Sequence, residues 1–306
     1  MPVPDRCRPP MRITRLTLPS TDVDACLAFY RDVLQLPTTG TTIHVGWTDI
    51  DIVPGSTDTG AVHLAFNVPH QRFDAACSWL RERALLLRDP LGEERFHVGG
   101  VWDAESVYLA GPHDAVLELI GRRTLSFAAP GSGEFRSGEI ACLSEVGLPT
   151  DDVQKAVRQF VVSTGLMPFG EVSDAFAPMG DHEGLLILVD RRRPWVPEQR
   201  RLPGARGIQV TIQGVLPHAV LVDEEGWRVT SVAPAPGDCR ETSVWPRIAD
   251  PCHGPPTITN MPHRRRRPRP SRPSGGSPLH PMVCTSSCPM GAWTSSSRSV
   301  GKTIAR

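Results

Sequence analysis

Arg15-Leu-Thr-Leu-Pro-Ser-Thr-Asp-Val23 and Glu145-Val-Gly-Leu-Pro-Thr-Asp-Asp-Val153 are two copies of one pattern, offset by 130 residues without a gap. Each is a short alternating apolar run, then Pro, then a Ser/Thr/Asp cluster, then a helical pattern. The alternation predicts a strand whose two faces differ. The Ser/Thr/Asp cluster predicts a helix N-cap, because a short side-chain oxygen there satisfies an otherwise unpaired backbone N–H. Val23, Leu27, Tyr30 and Leu34 follow the first cap at helical spacing, and Val153, Val157, Phe160 and Val161 follow the second. Leu36-Pro37 and Thr164-Gly165 end the two helices.

A further unit lies between the copies. Ala61-Val-His-Leu-Ala-Phe-Asn-Val68 is strand-like, and Phe73, Ala76, Cys77, Leu80 and Ala84 form a helical stripe. Short strands with turn signals follow each helix: Thr42–Trp47 and Asp49–Val53 after the first, Ser106–Ala110 and Ala115–Ile120 after the second. The first half therefore reads β-α-β-β-β twice. A repeated unit too small to close a core alone must pack on another copy of itself. In the second half the last unit is shortened, since Gly214-Val-Leu-Pro-His-Ala219 is too short for a helix. The expected fold class is α+β, with tandem βαβββ modules. The expected boundaries are a disordered start at 1–11, a first domain at 12–122, a linker at 123–138, a second domain at 139–232 and a disordered tail at 233–306.

Composition supports that division. The chain has 306 residues, with 33 Lys and Arg against 33 Asp and Glu. From Pro234 onward ten Arg and one Lys meet only three acids, and 13 of the 31 Pro fall there. A segment so basic and so poor in apolar periodicity cannot bury enough surface to offset its chain entropy. Out-of-frame reading of GC-rich DNA would give the same composition. The Arg264–Arg267 run has no aromatic residue interleaved with it, so nucleic acid is not the expected partner. No apolar run reaches the length of a membrane helix and no signal-peptide h-region is visible. The eight Cys are scattered, as expected for reduced thiols in a cytoplasmic protein.

The segments LTLPSTDVDACLAFYRDVLQLP, GAVHLAFNVP and SVYLAGPHDAVLELI resemble the vicinal oxygen chelate superfamily of glyoxalases, extradiol dioxygenases, fosfomycin-modifying enzymes and bleomycin-resistance proteins. AFYRDVLQLP is similar to that family's helix-ending FYxxxLGL pattern, with Gln35 in place of Gly, and GPHDAVLEL to its closing DPDGNxxEL hairpin. The resemblance implies paired modules forming glyoxalase-like domains. It also implies a cleft where a divalent metal (Fe, Mn, Ni or Zn) is held by residues of the first and closing strands. Carried over, those positions fall on Arg15, His63 and Glu118, with Glu145, Gln209 and Thr230 as the second-half counterparts.

Arg15 departs from the pattern, because a guanidinium has no lone pair to give a metal. Two readings stay open. In one, the cleft of 12–122 is metal-free and Arg15 occupies the cation's place, paired with Glu118 beside His63. In the other, His63 and Glu118 hold a metal with another ligand, and His44 and His97 are candidates by residue type. Glu118 and Arg15 are the expected catalytic residues. Trp47, Trp102 and Tyr108 are the expected substrate-binding residues. A core role for His63 and plain packing for the aromatics would fit the same letters. His113 is expected in solvent, and Arg191–Arg193 in a surface loop. The second half is expected to be structural or an interaction domain. The implied function is glyoxalase- or dioxygenase-like action on a small oxygen-bearing molecule, or metal-free sequestration of a small molecule.

Overall fold

The computed structural model describes residues 9–55, 60–127, 132–224 and 226–233. Of the two segments expected to be disordered, residues 1–8 and 234–306 lie outside these; the expectation is corrected at Met11, which is buried with its N–H on the Asp181 carboxylate. Four modules follow one another. The first is β1 (Arg12–Ser20), α1 (Val23–Ala28), β2 (Thr38–Thr39), β3 (Thr42–Val45) and β4 (Thr48–Pro54). The second is β5 (His63–Asn67), α2 (Phe73–Arg81), β6 (Arg95–Val98), β7 (Ala104–Ala110) and β8 (Val116–Arg122). The third is β9 (Cys142–Thr150), α3 (Val153–Thr164), β10 (Phe176–Asp181) and β11 (Gly184–Asp190). The last is β12 (Gln209–Gln213), β13 (Val220–Val222) and β14 (Arg228–Ser231), without a helix.

The caps are those the repeat announces. The Asp22 carboxylate accepts from the Ala25 N–H, and the Asp152 carboxylate from the Lys155 N–H. Past α1 the chain widens into a π-turn at Phe29–Val33, which buries Tyr30. Gly165 closes α3 at φ 68°, a left-handed cap that costs glycine nothing. No helix among the described residues is long and apolar enough to cross a membrane.

Two seven-stranded sheets result, and they are not assembled in chain order. One runs β13-β14-β12-β1-β4-β3-β2 and the other β10-β11-β9-β5-β8-β7-β6. The first module thus pairs with the last, through antiparallel β1 and β12, and the second with the third, through antiparallel β5 and β9. The cleft expected from 12–122, with β1 and β5 side by side, is corrected: those two strands lie in different sheets. Within a module the first strand runs parallel to the closing strand, β1 to β4 and β5 to β8.

Alternation decides what each sheet face carries. Leu64, Phe66, Leu117, Leu119, Val146 and Leu148 join the main core with the helix residues Phe73, Leu80, Val153 and Phe160. The alternate positions on β5, β8 and β9 are His63, Glu118 and Glu145, which are polar and nevertheless buried. Burying three such groups together is costly unless they compensate one another.

Candidate metal centre

His63 opens β5, Glu118 lies mid-way along β8, and Glu145 lies on β9. Ladder register brings them together: Ala65 sits opposite both Glu118 on its parallel side and Glu145 on its antiparallel side. The His63 Nε2 is 3.5 Å from Glu118 Oε2 and 3.7 Å from Glu145 Oε2. One donor atom from each of the three residues lies within 4.8 Å of the other two. Glu118 faces away from Leu117 and Leu119 into this cluster, on the same side of the sheet as His63.

Neighbouring side chains fix the three. Ser106 on β7 donates its hydroxyl to Glu118 Oε1 at 2.5 Å. Arg122, at the end of β8, donates from Nη2 to Glu145 Oε1, and from Nε to the Asn67 side-chain Oδ1 at 3.3 Å. Its guanidinium is fully buried, beneath the Trp102 ring at 5.4 Å. The Trp195 indole donates to the Ala61 carbonyl at 2.7 Å and lies 5.0 Å from the His63 ring. Gly147 makes room for that indole, since a Cβ there would lie 2.6 Å from it and 3.1 Å from the His63 Cβ. Gly147→Ala is therefore expected to cost about 1–3 kcal/mol by urea unfolding, as overpacking does. A neutral result would mean that Trp195 is not held against His63.

The electrostatics follow from burial and proximity. Burial, then the Glu145 charge, push Glu118 up to about 7 against the opposing pull of His63 and Ser106. Burial also works against the Glu145 charge, but His63 and Arg122 outweigh it and hold that carboxyl below its ordinary value. Burial disfavours imidazolium at His63, yet the two carboxylates prevail and raise it. The Tyr108 phenol is pushed well up by burial and then by both carboxylates, so it stays protonated.

These groups line a cavity of about 210 Å³ with Trp102, Tyr108, Phe176, Ile187, Arg193 and Trp195 among its walls. Ile187 stands opposite Gly147 on β11, the counterpart of Glu118 opposite Ala65. That equivalent position is thus apolar, and the cluster offers three donor residues among those described.

Several sequence expectations are corrected here. Arg15 is not in the cavity. It lies in the other sheet, 55% exposed, with its guanidinium on Asp51 at 2.6 Å; the buried cation beside the carboxylates is Arg122. Trp47 lies outside the cavity, with the Arg12 guanidinium 4.4 Å above its ring. Trp102 and Tyr108 do line it. His44 pairs with Asp49 in the other sheet, and His97 is exposed on β6. His113 is half-buried and contacts Ser20 Oγ at 2.7 Å through its Nε2. The second half contributes Glu145 to the cluster, which the expectation for that half did not include. Nor is 191–197 only a surface loop: it delivers Arg193, Trp195 and Val196 to the cavity.

The donor chemistry fits a divalent first-row ion. One imidazole and two carboxylates suit Fe, Mn, Ni or Zn, and three donors leave positions for small oxygen ligands. Ser106 and Arg122 supply the outer hydrogen bonds that orient ligating carboxylates.

No protein-family model matches the chain, and no curated protein does. Among solved structures it is similar to glyoxalase I from Zea mays, at 14% identity and TM-score 0.45, over 73% of this chain and 92% of that one. It is similar to a putative dioxygenase from Bacillus subtilis, at 15% identity and TM-score 0.49, over 76% of this chain and 87% of that one. The oxidase ChaP-H1 matches at 25% identity and TM-score 0.30, over 36% of this chain and 95% of that one.

Proposed function

We propose that the protein is a metal-dependent enzyme of glyoxalase or dioxygenase type, acting on a small oxygen-bearing molecule in the cavity between the second and third modules. The observation that carries this reading is the convergence of His63, Glu118 and Glu145 donor atoms on one buried point beside an aromatic cavity. His63 Nε2 and one oxygen from each carboxylate would hold the ion. Bound there, a divalent metal supplies Lewis acidity or a site for dioxygen. The chain's own residues do the rest. Ser106 and Arg122 hold the carboxylates in place, Trp195 sets the imidazole plane, and the aromatic walls exclude water. The Tyr108 phenol, kept protonated, offers a donor to a substrate oxygen.

Calorimetric titration of the chelator-treated chain with Mn²⁺, Ni²⁺ and Zn²⁺ tests this. One site per chain is expected, weakened at least about 100-fold by His63→Ala, because two carboxylates alone hold such ions poorly. Arg15→His is expected to leave the affinity unchanged, since that residue is in the other sheet. Absence of a saturable site would reject the reading. The pH dependence has a definite sign. The ion competes with protons on Glu118 and His63, both raised, so affinity should be about tenfold or more lower at pH 6 than at pH 8.

A second reading, a metal-free small-molecule binder, draws on Arg122, which already gives Glu145 a counter-charge. In that case the titrations would show no site, while aromatic ligands would still bind.

A further inference from the structure

The cavity contains one charged group that the cluster does not use. Of the three consecutive arginines after β11, Arg191 pairs with Asp151 and Asp223, and Arg192 with Asp190. Arg193 has no carboxylate partner among the described residues. Its guanidinium lies 4.9 Å over the Phe176 ring, and both side chains line the cavity. Desolvation lowers its affinity for a proton, but an arginine starts so high that it stays charged at neutral pH.

The segment that carries Arg193 is anchored rather than loose. The Arg193 N–H donates to the Asp190 carbonyl, and the Trp195 N–H to the Arg201 carbonyl. Arg201 in turn donates to Asp114, in the turn before β8, at 3.0 Å. The Trp195 indole is tied to Ala61. A partly desolvated cation is thus held at the wall of a cavity lined on one side by the His63, Glu118 and Glu145 cluster and elsewhere by apolar and aromatic residues such as Trp102, Phe176, Ile187 and Trp195. The guanidinium fork is matched by a planar carboxylate, which takes two parallel N–H bonds. About 210 Å³ is room for one aromatic ring with a small substituent, given that a cavity of about 150 Å³ holds benzene.

We propose that the cavity's ligand is a single-ring aromatic carboxylate, its ring among the aromatic walls and its carboxylate on Arg193. This rests on the reading above that the cavity beside His63, Glu118 and Glu145 is the working site. Arg193 is here a specificity-determining residue. It also offsets the repulsion that Glu118 and Glu145 would exert on an anion.

Benzoate and its neutral counterpart benzamide are the probes, titrated against the full chain by ligand-observed NMR, once with chelator and once with Mn²⁺. In chelator, benzoate is expected to bind at least about tenfold tighter than benzamide, as a charge-assisted pair provides. Arg193→Gln should erase that preference and leave benzamide binding as it was, with an unchanged thermal midpoint to show that the fold is intact. Equal binding of the two probes by the unaltered chain, binding of neither, or a benzoate preference that survives Arg193→Gln would overturn the proposal. A preference that appears only with Mn²⁺ and survives the substitution would assign the carboxylate to the metal, overturning this proposal while upholding the metal reading. A preference lost in Arg193→Gln, in a chain that binds no Mn²⁺, would uphold this proposal and sink the metal reading.

Discussion

Arg122→Met is expected to destabilise the protein by about 3–5 kcal/mol at neutral pH, because it leaves the Glu145 carboxylate buried without its cation. The Arg122 side chain is wholly buried and Glu145 nearly so, and removal also frees the Asn67 oxygen it binds. Arg122→Met combined with Glu145→Gln should cost much less, since no charge is then stranded. The contrast is Arg15, whose pair with Asp51 is open to water: Arg15→Ala should cost less than about 1 kcal/mol. Urea unfolding of the three variants and the unaltered chain in chelator gives the comparison. Equal losses at Arg122 and Arg15 would mean that Glu145 is neutral in the folded protein.

Glu118→Gln should do the opposite at high pH. A carboxyl whose folded value is raised above its ordinary 4.5 to about 7 contributes stability that is fully present below pH about 4.5. That contribution is lost as pH rises through about 7. At pH 8 the metal-free protein therefore carries a penalty of about 3 kcal/mol from this one group, at 1.36 kcal/mol per unit. Glutamine removes the charge and keeps an oxygen for the Ser106 hydroxyl. The variant should be more stable than the unaltered chain by about 2–3 kcal/mol at pH 8 and indistinguishable from it below pH about 4. Unfolding curves in chelator from about pH 4 to about pH 8 measure this. A difference that does not vary with pH would show that Glu118 does not titrate in that window.

Much of the fold was legible because it rests on local rules. The caps at Asp22 and Asp152, the helices after them, and the hairpin of β7 and β8 are set by residues close in sequence. His63 and Glu118 were picked out by the family resemblance, and alternation along β5 and β8 is what sends both to the face opposite Leu64 and Leu117. The partner of their module was not, since the choice between neighbouring modules is made by pairing across long separations. The repeat aligns Arg15 with Glu145 correctly as first-strand positions. It does not say which of the two lies beside His63. Charge could have helped: Glu145 can ligate a metal and Arg15 cannot. Arg122 was hidden because an arginine at a strand's end is ordinarily solvated, and only the carboxylate of another module draws it inside. Arg193 was obscured by its two neighbours, which do pair at the surface.

The nested pairing of modules has a consequence for the order in which a growing chain can complete its sheets. The strands that bear the cluster are contiguous, from β5 to β11, so that sheet can close while the last module is still being synthesised. β1 must wait: Thr14 and Thr211, which meet across its ladder, are 197 residues apart. Until β12 emerges, the first module has an open strand edge, with backbone donors and acceptors free to pair with any extended chain nearby. Halves joined in this way place the His63, Glu118 and Glu145 cluster in the early sheet and leave the late one to seal β1. A chain stopped before residue 209 would thus have that cluster assembled and one edge uncapped. Its failure would be self-association rather than loss of the centre, and the short helix-free last module acts as a protective strip along β1.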